Sequence, residues 1–436
     1  MKKLVVLLFS LGLFVAAKSQ NYYFPPVVGS QWDTVSPVSL NWCTSRLDTV
    51  YKYLDYKDSK AFIILKGGKI AVEKYFDAFT QDSAWYWASA GKTLTAFLVG
   101  MAQQDGKLSI SDTTSKFLGK GWTSCTPQQE DKITLWHHLT MTTGLDDVIA
   151  PTPQVPDPDN CMEPACLQYK ADAGTRWAYH NAPYRILHEI LDSATRFNIN
   201  QYTVLKLRNT TGIQGLWYDG VFYSRPREMA RFGSLMINKG KWGNTVVLPD
   251  TNYLKAATNT SQSINPSYGY LWWLNGKSTY KIPDVQLTFN GPLVPNAPAD
   301  MVAALGKNDQ KLYVIPSMDM VIVRMGNDSG QPVAAVSSFD NELWGLLKDV
   351  FCPNGPVSVN EPSKQSVVKI YPNPANNVLF TEGEGQLLIT DINGRIVLQS
   401  QVSGIKEFSI QHLSTGVYTL RLINEGGTQT QKLIKE

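Results

Sequence analysis

The chain has 436 residues, 43% hydrophobic and 18% charged, enough for two or three domains around a large core. Lys and Arg number 40 against 37 Asp and Glu, and three of the positives fall in the first twenty residues, leaving 37 against 37. So balanced a chain has no electrostatic footprint for nucleic acid or anionic lipid, and its composition excludes a disordered tail, a coiled coil or a collagen-like rod.

Met1-Lys2-Lys3 precedes an apolar run from Leu4 to Ala17, then Ala17-Lys18-Ser19. A basic start, fourteen apolar residues and small residues at the −3 and −1 positions of a cut after Ser19 read as a cleaved secretory signal over 1–19. The run is too short to span a bilayer as a helix. Export from the cytoplasm is expected.

A folded domain is expected over 30–353. Leu47, Val50, Tyr51 and Leu54 form a helical stripe. Strands Ala61–Leu65 and Ile70–Phe76 flank the Gly67-Gly68 turn. After Trp85–Ser89 comes a helix with an inner face of Leu94, Phe97, Leu98, Met101 and Ala102, stopped by Gly106. From Ile110 to Ile264 the pattern is helical patches joined by long loops. Leu312–Ile315 and Met320–Met325 form a second hairpin around Pro316-Ser317, and Phe339, Leu343, Leu346 and Val350 mark a last helix. Strands that open and close the region predict an α+β fold: an antiparallel sheet built from both ends, flanked by helices, with a helical subdomain between.

Among the five cysteines, Cys161 and Cys166 sit in a Pro- and Asp-rich loop that a disulfide would staple. Cys43 and Cys352 would tie the two ends of the domain if these pack together, leaving Cys125 over. Spacing does not settle connectivity, and buried free thiols remain the alternative for Cys43, Cys125 and Cys352.

Residues 354–365 read as a linker rich in Pro, Ser, Val and Asn. Over 366–436 seven short alternating segments, with turns at Asn393-Gly394 and Gly426-Gly427, predict a small all-β sandwich. Its Tyr371-Pro372-Asn373-Pro374-Ala375, Gly416-Val417-Tyr418 and terminal Lys432-Leu433-Ile434-Lys435 resemble the C-terminal sorting domain of type IX secretion cargo. That resemblance implies the secretion machinery as a partner and a destination outside a Gram-negative cell or on its outer-membrane surface, reached through the periplasm. A carbohydrate-binding or spacer sandwich is the alternative.

Ser-x-x-Lys occurs four times, so the string alone says little. Ser89/Lys92 stands apart because it opens an amphipathic helix, where the i, i+3 spacing sets the ammonium beside the hydroxyl. Free amide N–H groups at that helix end would stabilise an oxyanion, and a desolvated lysine can take or help take the serine proton. The bland alternative is a capping serine with a surface lysine. Tyr179-His180-Asn181 follows ninety residues later. A tyrosine beside two ammonium groups would have its phenolate favoured and serve as a base, with Asn181 orienting an amine or a substrate amide. Lys307 precedes the closing hairpin as the second cation, with Asn308 beside it, and the backbone around Gln310 is a candidate second oxyanion donor.

In this order the motifs resemble the serine β-lactamase and penicillin-binding-protein superfamily, specifically the class C β-lactamase, D-aminopeptidase and esterase branch. The resemblance runs from about Asn41 to Phe351 and includes Ile133–Leu145, Arg227–Gly233 and Tyr268–Gly276. It implies Ser89 as nucleophile, Lys92 as its partner, Tyr179 as base and then acid, and Asn181 as orienter. Lys307 would bind a carboxylate or tune Tyr179, and the amides of Ser89 and Gln310 would form the oxyanion hole. One departure stands out: where the family's third motif has a glycine, this chain has Asp309, expected to crowd the strand edge or repel a substrate carboxylate.

Other strings are weaker. Asn327-Asp328-Ser329-Gly330 looks like a trypsin-type nucleophile loop, but the helical middle excludes that fold. His188 has Asp192 rather than His at i+4, so no zincin pattern forms, and no metal ligand is assigned. Asp146-Asp147 and Asp157/Asp159 read as solvated loop acids. Trp85, Trp87, Trp272 and Trp273 are either core or pocket wall. The reading is an exported serine hydrolase that acylates Ser89 with an ester, amide or D-amino-acid peptide, a small-molecule or peptide substrate, and needs no cofactor. The alternative is a catalytically impaired, surface-displayed binding protein on the same scaffold, its third motif spoiled by Asp309.

Overall fold

Both predicted hairpins form, and they pair with each other. The computed structural model describes residues 22–330, 336–352, 369–392, 395–424 and 427–436, and the chain divides into two compact units, 1–356 and 357–436. The expected signal segment 1–19 and linker 354–365 lie outside the described residues. No helix among the described residues is long and apolar enough to cross a membrane.

In the first unit α1 (Leu47–Tyr56) leads into β1 (Ser59–Lys66) and β2 (Lys69–Tyr75). A short β3 (Trp85–Tyr86) precedes α2 (Lys92–Gln104). The middle carries α3 (Asn181–Thr195), the hairpin β4 (Leu216–Tyr218) and β5 (Val221–Ser224), and α4 (Pro226–Ile237). The chain returns through β6 (Trp273–Leu274), β7 (Val302–Gly306), β8 (Gln310–Ile315), β9 (Met320–Gly326) and α5 (Ser338–Phe351). The six-stranded antiparallel sheet has the order β2-β1-β9-β8-β7-β6.

Helices cover both faces of this sheet, so its central strands read as continuous apolar runs: every residue of β8 and β9 is buried. Alternation sorts their side chains. Leu312 and Val321 face α4, which comes so close that a Cβ on Gly233 would sit 2.4 Å from Val321 Cγ1. Lys311 and Tyr313, pointing the other way, reach Asp340 on α5 at 2.8 and 2.6 Å.

The predicted inner face of α2 understates its burial, since every residue from Lys92 to Ala102 is buried. A helix enclosed on all sides presents Lys92 to the interior rather than to water. Truncating Leu98 to Ala at its centre would cost about 2–5 kcal/mol.

Residues 22–29, ahead of the expected start of the domain at residue 30, pack onto α4. Tyr22 donates to Ser234 Oγ at 3.0 Å, and Arg231 donates to Pro26 O at 2.7 Å. Disulfides join Cys43 to Cys352 and Cys161 to Cys166, with Cα separations of 5.8 and 5.9 Å, and Cys125 is free.

The second unit is an all-β sheet of β10 (Lys369–Tyr371), β11 (Val378–Thr390), β12 (Ile396–Ser409), β13 (Gly416–Asn424) and β14 (Gly427–Lys435). Four of the predicted segments merge into two long strands, because the β11–β12 ladder runs unbroken through Gly383 and Gly404 where the side-chain alternation lapses. The other edge of β11 is shared, β10 pairing with its first part and β13 with its last. Leu379, Leu387, Ile389, Leu420, Leu422 and Leu433 form the core. The Asn393-Gly394 turn and Gly426 fall outside the described residues.

Candidate active site

Ser89 lies in a 3-10 turn, Ala88–Gly91, that runs directly into α2. The turn is entered through Ala88 at φ +47°, a left-handed conformation uncommon for a residue with a Cβ. Trp87 anchors it from below, its indole donating to Ser224 Oγ at 2.8 Å and its backbone N–H to Phe222 O at 2.8 Å. Amides in the first turn of a helix have no intrahelical acceptor, so the Ser89 N–H belongs to the set open to an external oxygen.

Lys92 donates to Ser89 Oγ at 2.9 Å and to Asn181 Oδ1 at 2.6 Å. Its ammonium also lies 4.4 Å from the Tyr184 ring centre and 5.1 Å from that of Tyr179. Burial pulls this lysine from its usual value down to about 7, with Asp159 opposing the fall and Arg185 adding to it. Near neutral pH a good part of Lys92 is therefore an uncharged amine, able to accept a proton.

Tyr179 ends a loop tied to the segment before it by hydrogen bonds from Ala178 N to Met141 O (2.9 Å) and from Gly174 N to Thr142 O (2.8 Å). Its hydroxyl lies near Ser89. Burial pushes the phenol well above its ordinary value, and the contact with Ser89 offsets only part of that. The phenolate expected from the motif is thus disfavoured: enclosure among Trp177, Tyr268 and Trp273, with the charge of Asp159 adding to it, favours the neutral phenol.

Asn181 is the first residue of α3 and is gripped by a residue from outside the motif. Asp159 Oδ1 accepts from Asn181 N at 3.0 Å and Asp159 Oδ2 accepts from Asn181 Nδ2. A carboxylate at a helix N-terminus is favourably placed, and here it also dictates which way the Asn181 amide faces. The expectation that Asp159 is a solvated loop acid is overturned. No spacing rule could reveal it, because the contact crosses 22 residues of irregular loop.

The third motif departs from expectation as well. Lys307 is exposed at the β7–β8 turn, and among the described residues no hydrogen bond or ion pair joins it to Ser89, Lys92 or Tyr179. Asn308, at φ +59°, donates to the Tyr86 hydroxyl at 2.8 Å. Gln310 pairs with Gly306 in the ladder, and its side chain donates to Gly326 O at 2.6 Å. Asp309 faces away from the substrate edge. It is 5% exposed, lies 3.0 Å from Lys311 Nζ and accepts from Ser329 and Ser337. Burial pushes its carboxyl up, but Lys311 and the two hydroxyls more than offset this and hold it below the usual value.

The glycine that permits close approach is Gly306 instead. A Cβ there would stand 2.5 Å from Trp87 O and 3.0 Å from Ala90 N, so only a bare backbone lets β7 lie against the serine turn. The sequence signal is a glycine ending the strand, three residues before the position where the resemblance puts the motif's glycine. Trp87, Trp272 and Trp273 are core, each no more than 1% exposed. His138 and His188 are buried against Thr114 and Thr95 at 2.8 and 2.9 Å.

Residues 58–203, which hold Ser89, Lys92, Tyr179 and Asn181, match the Beta-lactamase family, and residues 369–436 match the Secretion system C-terminal sorting domain family. An uncharacterised protein of Alkalihalophilus pseudofirmus is 22% identical over 340 residues, covering 67% of this chain and 92% of the relative. A solved structure from Bacillus anthracis, assigned as a 6-aminohexanoate-dimer hydrolase, superposes with a TM-score of 0.57 at 15% identity, covering 76% of this chain and 90% of the other. A family VIII carboxylesterase gives a TM-score of 0.55 at 12% identity, covering 74% and 99%. At such identities the two structures speak for the fold. Two segments of this chain thus match known families, Beta-lactamase over residues 58–203 and Secretion system C-terminal sorting domain over residues 369–436, and the chain shares its fold with the two solved structures.

Proposed function

We propose that this protein is a serine hydrolase, exported by the type IX route, that forms an acyl-enzyme on Ser89. The observation that carries the reading is the hydrogen-bonded chain Ser89–Lys92–Asn181, with the Tyr179 ring packed beside Lys92. Neutral Lys92 takes the Ser89 proton as Oγ bonds to the substrate carbonyl carbon, and the oxyanion is met by amides of the serine turn. As the intermediate collapses, the Lys92 proton passes by way of the Tyr179 hydroxyl to the departing alcohol or amine. Water then attacks the ester by the reverse of these transfers, releasing the acid and restoring Ser89.

Esters and amides are the bond classes proposed. The similar proteins assigned as a 6-aminohexanoate-dimer hydrolase and a carboxylesterase fit that range. The impaired-binder alternative loses its motive, since Asp309 is buried against Lys311 rather than set along the substrate edge. Export rests on the sorting domain and the signal-like N-terminus.

The test is to incubate the full chain with a fluorophosphonate probe and with a labelled penicillin, and to map the modified peptide. Labelling at Ser89 that disappears in Ser89→Ala is expected. A folded protein labelled by neither reagent would overturn the reading.

A further inference from the structure

Asp159 is the one acid that reaches the Ser89–Lys92–Asn181 chain by direct hydrogen bonds among the described residues. It takes both nitrogens of Asn181, the backbone N–H and the side-chain Nδ2. An amide whose NH₂ is held by a carboxylate must turn its oxygen the other way, and Asn181 Oδ1 is the atom 2.6 Å from Lys92. Lys92 in turn holds Ser89 at 2.9 Å. Removing the carboxylate frees the Asn181 amide to rotate and present its NH₂ to the Lys92 nitrogen, displacing the proton acceptor from Ser89.

Asp159 stands in the 3-10 turn Pro158–Asn160, on a stretch with little other anchorage: residues 151–154, 156 and 157 are exposed. Two residues on, Cys161 is bonded to Cys166, which is 4% exposed, and the neighbouring Leu167 is wholly buried, its carbonyl accepting from Ser124 N at 3.1 Å. The disulfide thus fastens the segment that carries Asp159 to a fixed point in the domain.

We infer that Asp159 is a positioning residue for the Ser89–Lys92 pair, acting through Asn181, and that the Cys161–Cys166 disulfide holds it in place. The inference rests on the reading of Ser89 as nucleophile. It makes acylation depend on the oxidised state of a loop whose cysteines take no part in the chemistry.

The charged and titratable groups around Asp159 are Lys92, Arg185, Tyr179, His180, Asp147 and Asp284. Asp159 opposes the depression of the Lys92 ammonium, so its neutralisation lowers Lys92 further. The rate constant for fluorophosphonate labelling of Ser89 is measured against pH in the full chain, for wild type, Asp159→Asn, Asp159→Glu and Cys161→Ser/Cys166→Ser. Asp159→Asn is expected to slow labelling at least tenfold and move the rising limb to lower pH. Asp159→Glu recovers part of the rate. The double serine variant, or wild type with dithiothreitol, slows labelling two- to tenfold while circular dichroism stays unchanged. Wild-type rate and pH limb in Asp159→Asn would overturn the positioning role, and an unchanged rate without the disulfide would overturn its part. A wild type not labelled at Ser89 would overturn the nucleophile reading itself, and this inference with it.

Discussion

Asp309 and Lys311 form a buried ion pair, 3.0 Å apart, on the face of the sheet covered by α5. Lys311 is shared with Asp340 at 2.8 Å, so two carboxylates depend on one ammonium. Removing one partner of a buried pair costs about 3–5 kcal/mol, because the remaining charge stays desolvated. Lys311→Met is therefore expected to lower the denaturant midpoint sharply. Asp309→Asn is expected to reduce stability while leaving the KM of any ester substrate within about twofold, since the side chain does not face the substrate. A KM change of tenfold or more at unchanged stability would return Asp309 to the substrate edge.

Lys92 links activity and stability with opposite signs. Its ammonium is depressed to about 7 in the folded chain but titrates near 10.4 unfolded, so the unfolded state holds more protons between those values. The lysine's contribution to stability therefore rises as pH increases from about 7 towards 10 and is least favourable below 7. Lys92→Met is expected to abolish Ser89 labelling yet to raise the melting temperature at pH 6, with the gain shrinking by pH 9. A melting temperature that falls at pH 6 would show that the hydrogen bonds to Ser89 and Asn181 outweigh the desolvation.

For the same reason, the wild-type acylation rate is expected to climb through pH 7 and level off above it. Tyr179→Phe keeps the ring stack against Trp273, 5.8 Å between centres, and removes only the hydroxyl. It is expected to lower kcat by about 10²- to 10⁴-fold, the range for a lost proton-transfer group, with the limb near pH 7 retained. A limb that vanishes in Tyr179→Phe would assign the titration to the tyrosine.

Gly306→Ala probes the approach of β7 to the serine turn. The added methyl meets the Trp87 carbonyl at 2.5 Å, and backbone cannot yield as a flexible side chain would. A displacement of the nucleophile by a fraction of an ångström is expected to lower kcat at least tenfold, against a smaller loss of stability. Gly121→Ala, with nothing within 4 Å of its Cβ but a φ of +83°, is the control that should affect stability alone.

Non-reducing peptide mapping is expected to recover Cys43–Cys352 and Cys161–Cys166, and native alkylation to modify Cys125. A mixed pair involving Cys125 would contradict this pairing.

Period and spacing within single elements made much of the domain legible. The two hairpins announced an antiparallel sheet joining the ends of the domain, and Ser89 with Lys92 could be placed on one turn of a helix, because the 3.6-residue period determines which side chains are neighbours. Tyr179 and Asn181 were marked by their order along the chain and by resemblance. What the tertiary structure alone decided is what each of these groups meets across the fold. Packing raises the Tyr179 phenol and lowers Lys92, which is why the proposed mechanism gives the base role to Lys92 rather than to the tyrosine expected from the motif. A loop contact recruits Asp159 to Asn181, the turn after β7 directs Asp309 into the interior, and Gly306 rather than residue 309 touches the serine turn. Desolvation, loop closure and the side of a sheet to which a turn residue points depend on elements far apart in the chain, and local periodicity carries no record of them.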